Sequence, residues 1–143
     1  MDTLQDKNLM DIYGKLKPAK SILKHKKCIV YYFSASWCTP CKALLPKIKK
    51  VYEESCKRRL GLEVIYVSLD TDPEIMLKYY KEKHGNWYAI PFGDNTIDEL
   101  RLKYGVTHIP YITVVKHDGT IISRNGRKEI DELGINVLVT WLD

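Results

Sequence analysis

The feature that most constrains the fold is a short apolar run followed closely by a pair of cysteines. Residues 29–34 read Ile-Val-Tyr-Tyr-Phe-Ser, which is typical of a strand buried on both faces of a parallel sheet. Cys38 and Cys41 come next, and apolar residues then recur every three or four positions as one face of a helix. The pattern predicts a central strand that leads into a helix beginning at the cysteine pair.

The next segment predicts a second strand and helix. Residues 62–69 are strand-like, and Thr71 and Glu74 fit a capping box, with Pro73 in the first turn of a helix that runs to about His84. Two strand–helix passages in succession favour parallel strands joined by right-handed crossovers. The fold class is therefore α/β.

The last third of the chain predicts a change to antiparallel pairing. Thr96 and Glu99 fit another capping box, and Gly105 supplies a stop for the short helix. Residues 111–116 and 120–124 are strand-like and are joined by His117-Asp118-Gly119, where Asp-Gly is a strong hairpin signal. Residues 135–142 are expected to be helical. We expect one domain over residues 1–143, with an N-terminal extension over about residues 1–27.

Charge and hydropathy narrow the classes of partner. The net charge of +5 comes partly from a lysine-rich opening segment that lacks interleaved aromatic residues. We expect a solvated surface and no nucleic-acid partner, with an anionic partner as the alternative. The sequence has no long apolar run and no secretory signal pattern. These features predict a cytoplasmic monomer without a membrane partner. The sequence does not decide whether the protein also enters the nucleus.

The spacing of Cys38 and Cys41 indicates thiol–disulfide exchange. A thiolate is the attacking species, and the unpaired N–H groups and dipole of a helix N-terminus stabilise negative charge on Cys38. Two intervening residues place Cys41 one turn later, within reach of a disulfide that resolves the mixed intermediate. Pro40 suits a helix start because it lacks an N–H that would have no partner there.

Other interpretations of the cysteines are weaker. A zinc site needs two further cysteines or histidines at comparable spacing, and Cys28, Cys56 and the histidines form no such pair, so neither a metal nor a cofactor is expected. An inert structural pair is a second alternative. Cys28 and Cys56 each lie about 20 Å along the chain from the motif, and we expect both to be buried free thiols, with a disulfide between them as the alternative.

The chain resembles the thioredoxin superfamily. The resemblance rests on residues 37–41, Trp-Cys-Thr-Pro-Cys, on Pro46 in the helix, and on Ile109-Pro110 before a later strand. Residues 34–38, 87–92, 99–106 and 126–130 are similar to tryparedoxins and nucleoredoxins, and most of all to nucleoredoxin-like proteins. The resemblance implies a thioredoxin-like fold, with a central mixed sheet flanked by helices and a C-terminal antiparallel hairpin.

The resemblance also implies a substrate-docking surface. Ile109-Pro110 is expected to be a cis peptide beside Cys38, although the dipeptide alone is more often a trans strand start. Trp37 either shields the disulfide or caps the core. His108 either tunes the sulfurs or is an exposed loop histidine. The expected docking residues are Trp37, Thr39, Pro40, Ile109 and Pro110.

One departure from thioredoxins concerns the proton of Cys41. Thioredoxins carry a buried acid in the central strand, and the matching position here is Tyr32. A tyrosine is protonated near neutral pH and cannot act as that base. We therefore predict that solvent carries the proton.

The expected function is reduction of protein disulfides, with Cys38 as nucleophile and Cys41 as resolving thiol. The partners are protein disulfides and an external thiol or reductase system that regenerates the dithiol. The alternative is a redox-sensitive signalling or binding module with little turnover, and a secreted oxidase is a weaker third possibility.

Overall fold

The computed structural model describes residues 2–142, in which seven strands form one sheet flanked by six α-helices. The strands are β1 (Asn8–Met10), β2 (Leu16–Pro18), β3 (Cys28–Ser34), β4 (Leu62–Ser68), β5 (Tyr88–Ala89), β6 (Tyr111–Lys116) and β7 (Ile121–Ser123). The helices are α1 (Ala19–Ile22), α2 (Thr39–Lys57), α3 (Pro73–Lys83), α4 (Thr96–Lys103), α5 (Gly126–Leu133) and α6 (Val137–Leu142).

The sheet is mixed, with strand order β2-β1-β5-β4-β3-β6-β7. β3 lies in the interior of the sheet, parallel to β4 and antiparallel to β6, so that Tyr32 is level with Tyr66 on one side and Ile112 on the other. β6 and β7 form the predicted antiparallel hairpin. The central strand, the parallel pair, the mixed sheet and the hairpin are therefore confirmed.

The two faces of the sheet have separate cores. Val30 and Tyr32 of β3 belong to a cluster with apolar residues of α2, α3, α5 and α6. Ile29, Tyr31 and Phe33 point to the other face, where α1, α4 and residues near the N-terminus cover them. Every residue of β3 is buried, as expected for a strand covered on both faces.

The N-terminal segment contributes to the sheet. β1 pairs with β2, and Met10 of β1 is the register partner of Ala89 in β5. Leu4 and Leu9 are fully buried against the face that carries α1 and α4. The sequence prediction contained no strand in this region, because two three-residue strands leave too short an alternation to detect.

The predicted capping residue of α3 is wrong by one position. Asp72 precedes the first helical residue, and its carboxylate accepts hydrogen bonds from the N–H groups of Glu74 at 2.9 Å and Ile75 at 3.0 Å. Pro73 occupies the first turn, as predicted. Because the N-cap must directly precede the first helical residue, Asp72 replaces Thr71 in that role.

The cap predicted for α4 is also wrong. Thr96 is the first helical residue, and Asp94 accepts from its N–H at 2.8 Å and from its hydroxyl at 2.7 Å. The predicted stop at Gly105 is confirmed, because this glycine has φ 63°. The N–H of Val106 donates to the carbonyl of Arg101 at 2.9 Å, which closes the helix end in a Schellman arrangement.

The C-terminal region holds one unpredicted helix. α5 begins at Gly126, where an added Cβ would overlap the side chain of Ile112, so this glycine allows the helix to approach β6 closely. The predicted C-terminal helix is confirmed: a 3₁₀ turn over Gly134–Asn136 leads into α6. No described helix has the length and apolarity needed to cross a membrane.

Candidate active site

The cysteine pair lies at the N-terminus of α2, directly after the loop that follows β3. Cys38 is the N-cap residue, and its sulfur accepts a hydrogen bond from the N–H of Cys41 at 3.3 Å. The two cysteines form a disulfide with a Cα–Cα distance of 5.2 Å. Cys38 is 5% exposed whereas Cys41 is fully buried. Whatever surface the pair exposes therefore belongs to Cys38.

The N-cap position explains how the fold favours a thiolate. The first N–H groups of a helix have no intrahelical partner, and the dipole adds partial positive charge at the same end. Pro40 lies in this first turn, where its missing N–H costs nothing. The prediction that the helix begins at the cysteine pair is confirmed.

Asp70 anchors the loop that carries the cysteines. Its carboxylate accepts from the N–H of Ser36 at 3.2 Å, from the Ser36 hydroxyl at 2.7 Å and from the Ser68 hydroxyl at 3.1 Å. Sequence reasoning missed this residue. The only available signal was its place at the carboxyl end of β4, since parallel neighbouring strands bring their carboxyl ends to the same edge.

The Ile109–Pro110 peptide is cis and adjoins the disulfide. Ile109 and Leu69 pack against the small cluster formed by Ala35, Cys38 and Cys41. The cis geometry implied by the resemblance is confirmed, and Ile109 packs beside Cys38.

Trp37 and Ile109 line one recess of about 400 Å³ beside the disulfide, together with Leu69 and His108. Trp37 is 64% exposed, so it does not cap the core. Thr39 and Pro40 are exposed as well, but Pro40 lines a separate recess with Lys47 and residues of α5. The structure thus brings Trp37 and Ile109 together and places Pro40 elsewhere.

His108 is exposed in the loop before β6. Its ring packs edge-on against Tyr111 at a centroid distance of 5.5 Å, and Nδ1 lies 3.3 Å from the hydroxyl of Thr107. His108 is therefore an exposed loop histidine whose ring contacts Thr107 and Tyr111.

Tyr32 lies next to Cys41. Its hydroxyl donates to the carbonyl oxygen of Cys41 at 3.2 Å, and burial raises its pKa above the ordinary range for tyrosine. Among residues 2–142, no carboxylate hydrogen-bonds to Cys41. Because Tyr32 stays protonated at neutral pH, transfer of the Cys41 proton to solvent stays our prediction.

The two other cysteines differ from each other. Cys28 is buried, and desolvation raises its pKa to about 12, which leaves it an inert thiol. Cys56 is exposed near the end of α2, so the expectation that it is buried is wrong. Position 56 lies at the boundary between the apolar and polar faces of α2. At such a boundary the spacing of apolar residues does not predict whether a side chain is buried or exposed. Within the described residues, no group of three or more metal-ligating side chains converges.

This sheet, with a disulfide at the N-terminus of a helix and a cis-proline beside it, defines a dithiol protein of the thioredoxin fold. Residues 26–121 match the sequence model of the family described as Thioredoxin-like, and the chain belongs to that family. The nucleoredoxins and tryparedoxins are among its relatives and structural neighbours.

Three relatives illustrate the similarity. A probable nucleoredoxin 1 of Arabidopsis thaliana is 36% identical over 101 residues, which span 71% of this chain but 17% of that protein. A thioredoxin structure from Wuchereria bancrofti is 38% identical with a TM-score of 0.85, covering 97% of this chain and 96% of the other. Thioredoxin related protein 16 of Carcinoscorpius rotundicauda is 37% identical with a TM-score of 0.85, covering both chains fully. The chain spans less than a third of the first nucleoredoxins it matches.

Proposed function

We propose that this protein reduces disulfides in other proteins. The observation that carries the proposal is the position of Cys38, which caps a helix, is bonded to a buried Cys41 and lies beside the recess lined by Trp37 and Ile109. Cys38 retains 5% exposure whereas Cys41 has none, which supports Cys38 as the attacking thiol and Cys41 as the resolving thiol.

The reaction runs in two exchanges. The Cys38 thiolate attacks one sulfur of a substrate disulfide, forming a mixed disulfide and releasing one substrate thiolate, which takes a proton from solvent. Cys41 then loses its proton and attacks Cys38, which releases the second substrate thiol. Two electrons pass to the substrate, and an external thiol or reductase system returns two electrons to the Cys38–Cys41 disulfide.

The residues around Cys38 suit contact with a polypeptide substrate. In this proposal Trp37 and the Ile109–Pro110 peptide contact the substrate chain, while Thr39 and Pro40, which are exposed outside the recess of Trp37 and Ile109, contact parts of the substrate on the helix side. A compartment with a strong thiol reductant suits this cycle, and we propose the cytoplasm on that ground.

The test is an insulin-disulfide reduction assay with an external reductant. Cys38→Ser is expected to abolish turnover, whereas Cys56→Ser, which changes an exposed cysteine outside the site, is expected to preserve it. Cys41→Ser should trap substrates as mixed disulfides on Cys38 that mass spectrometry identifies. Equal turnover in wild type and Cys38→Ser would refute the proposal.

A second candidate is a redox-sensitive binding module that holds a signalling partner and releases it on oxidation. It is favoured by one structural neighbour, the Carcinoscorpius rotundicauda protein, whose structure is described together with a role in regulating NF-kB activity. Turnover separates the two: a module binds its partner in the reduced form, releases it when Cys38 and Cys41 oxidise, and shows no catalytic reduction of insulin.

A further inference from the structure

A basic groove lies between α2 and α3 and reaches the active-site loop. It has a volume of about 590 Å³, and Leu45 and Pro46 of α2 line it together with Tyr79 of α3. Ser36, which Asp70 holds in the loop before Cys38, lines the same groove. The groove is therefore continuous with the loop that carries the reacting sulfur.

The charges of this groove are strongly unbalanced. The groove is lined by Lys42, Lys49, Lys50 and Lys83, and among the described residues Glu53 is the only acidic one in its lining. None of the four lysines forms a salt bridge within residues 2–142, whereas Lys47 on the same helix pairs with Asp131 at 2.8 Å. Four clustered cations repel one another, so the groove favours an anionic occupant.

The spacing of the lysines distinguishes between kinds of anion. Lys42 and Lys49 are seven residues apart on α2, which separates them by about 10 Å along the helix axis. An extended peptide covers that length with about three residues. A single phosphate is bound best by converging donors such as a guanidinium fork, whereas spread point charges suit a row of carboxylates.

The apolar part of the lining also suits a peptide. Leu45, Pro46 and Tyr79 provide apolar contact area between the charges. A peptide can cover this area with its own apolar atoms, whereas a free inorganic anion cannot use it.

We propose that this groove binds an acidic segment of the substrate protein while the substrate disulfide lies at Cys38. This inference rests on the proposed function and names its substrate class: proteins that carry several Asp or Glu residues near the reducible disulfide. Binding of the segment adds attraction outside the reacting atoms, so it acts on the capture of substrate more than on the exchange itself.

The test compares two synthetic disulfide peptides that differ only in the flanking segment, four glutamates in one and four glutamines in the other. The measured quantity is the ratio of kcat/KM for the acidic peptide to that for the neutral peptide. Wild type is expected to favour the acidic peptide about fivefold at low salt, since several exposed ion pairs contribute together. The ratio should fall toward one in high salt, because exposed charges are screened.

The groove variant and its control are double Lys→Glu substitutions and therefore have the same net charge. Lys49→Glu/Lys50→Glu should bring the ratio of kcat/KM for the acidic peptide to that for the neutral peptide to one or below. Lys49→Gln/Lys50→Gln, which only removes the two charges, should give a ratio between that value and the wild-type value. The control is Lys20→Glu/Lys24→Glu, two exposed residues at α1 on the opposite face of the sheet, which should keep the wild-type ratio. Lys42 is left unchanged because it adjoins Cys41.

The outcomes distinguish failure of the groove proposal from failure of the proposed function. A wild-type ratio of one, an unchanged ratio in both groove variants, or an equal loss in the control overturns the groove proposal. If wild type reduces neither peptide, the proposed function fails, and fluorescence anisotropy of the acidic peptide then decides the groove: binding must weaken in Lys49→Glu/Lys50→Glu and not in the control. Complete displacement of the peptide by inorganic phosphate, at an ionic strength at which sodium chloride does not displace it, would show a small-anion site instead and would also overturn the proposal.

Discussion

At the scale of single residues, the chemistry depends on two sulfurs with different surroundings. Cys38 caps α2 and reaches the surface, while Cys41 is enclosed one turn later and has Tyr32 hydrogen-bonded to its carbonyl oxygen. Cys28 lies on the same chain in a buried strand, where its raised pKa of about 12 keeps it unreactive. Position relative to the helix, rather than residue type, separates a reactive cysteine from an inert one.

We predict that Tyr32→Phe leaves the pH dependence of turnover unchanged. Burial raises the pKa of Tyr32, so the hydroxyl is protonated across the working range and cannot accept the proton of Cys41. The substitution removes one buried hydrogen bond and should cost about 1 kcal/mol in the free energy of unfolding. The measurement is kcat/KM from pH 6 to pH 9. A displaced pH profile would show that Tyr32 takes part in proton transfer.

We also predict that Asp70→Asn weakens the active-site loop. The substitution removes the charge from the acceptor of three hydrogen bonds that join Ser36 and Ser68. Bonds to a charged acceptor are stronger than neutral ones, so the free energy of unfolding should fall by about 1–2 kcal/mol, with lower turnover. Urea unfolding measures the loss, with the exposed Asp6→Asn as control. Equal stability of the two variants would contradict this role.

At the scale of elements, α2 and α3 each begin at a residue whose side chain caps the helix: Cys38 for α2 and Asp72 for α3. We predict that Asp72→Ala lowers the free energy of unfolding by about 1 kcal/mol, because two N–H groups at the start of α3 lose their acceptor. Thr71→Ala, one residue earlier, should change it by less than half as much. Urea unfolding measures the free energy of unfolding of both variants. A larger decrease in Thr71→Ala than in Asp72→Ala would show that Thr71, the residue expected from sequence, caps α3.

The elements that sequence predicts best are those with long, regular patterns. The buried run of β3, the apolar face of α2 and the Asp-Gly turn before β7 were all predictable, because each is a local signal. The cysteine pair was predictable as a site for the same reason. The cis state of Ile109–Pro110 came from resemblance alone, since nothing local in the dipeptide requires it.

The parts that escaped prediction depend on contacts between distant segments. β1 and β2 are three residues each and are stabilised by pairing along the edge of the sheet. α5 packs closely on β6 through Gly126, a requirement that appears only once both elements are placed. Asp70 serves the site from the end of another strand, and the basic groove combines residues of α2 and α3 that are far apart in sequence.

At the scale of the whole molecule, a buried histidine links folding stability to pH. His84 lies among tyrosine rings, and its Nδ1 accepts from the Trp87 indole at 3.2 Å. Burial, assisted by the positive charge of Lys49, lowers the pKa of His84 to about 3. The folded protein therefore holds a neutral imidazole over the whole neutral range.

The direction in which pH changes the free energy of unfolding follows from the protonation of His84 in the folded and unfolded states. An unfolded histidine gains a proton below about pH 6.5, whereas folded His84 does not, so its contribution to stability is full above that pH and declines toward pH 3. The expected slope is up to about 1.4 kcal/mol per pH unit. Urea unfolding between pH 7 and pH 4 should show a shallower slope for His84→Gln than for wild type, with the exposed His108→Gln as control. Equal slopes in all three proteins would contradict a neutral buried His84.

The central claim is that the helix N-terminus makes Cys38 the reactive thiol. The direct measurement is the pH dependence of iodoacetamide alkylation in reduced Cys41→Ser, read at each cysteine by mass spectrometry, with the exposed Cys56 as internal reference. We predict that Cys38 reacts with a midpoint clearly below that of a free cysteine, about 8.5. A midpoint for Cys38 at or above that value would contradict the account.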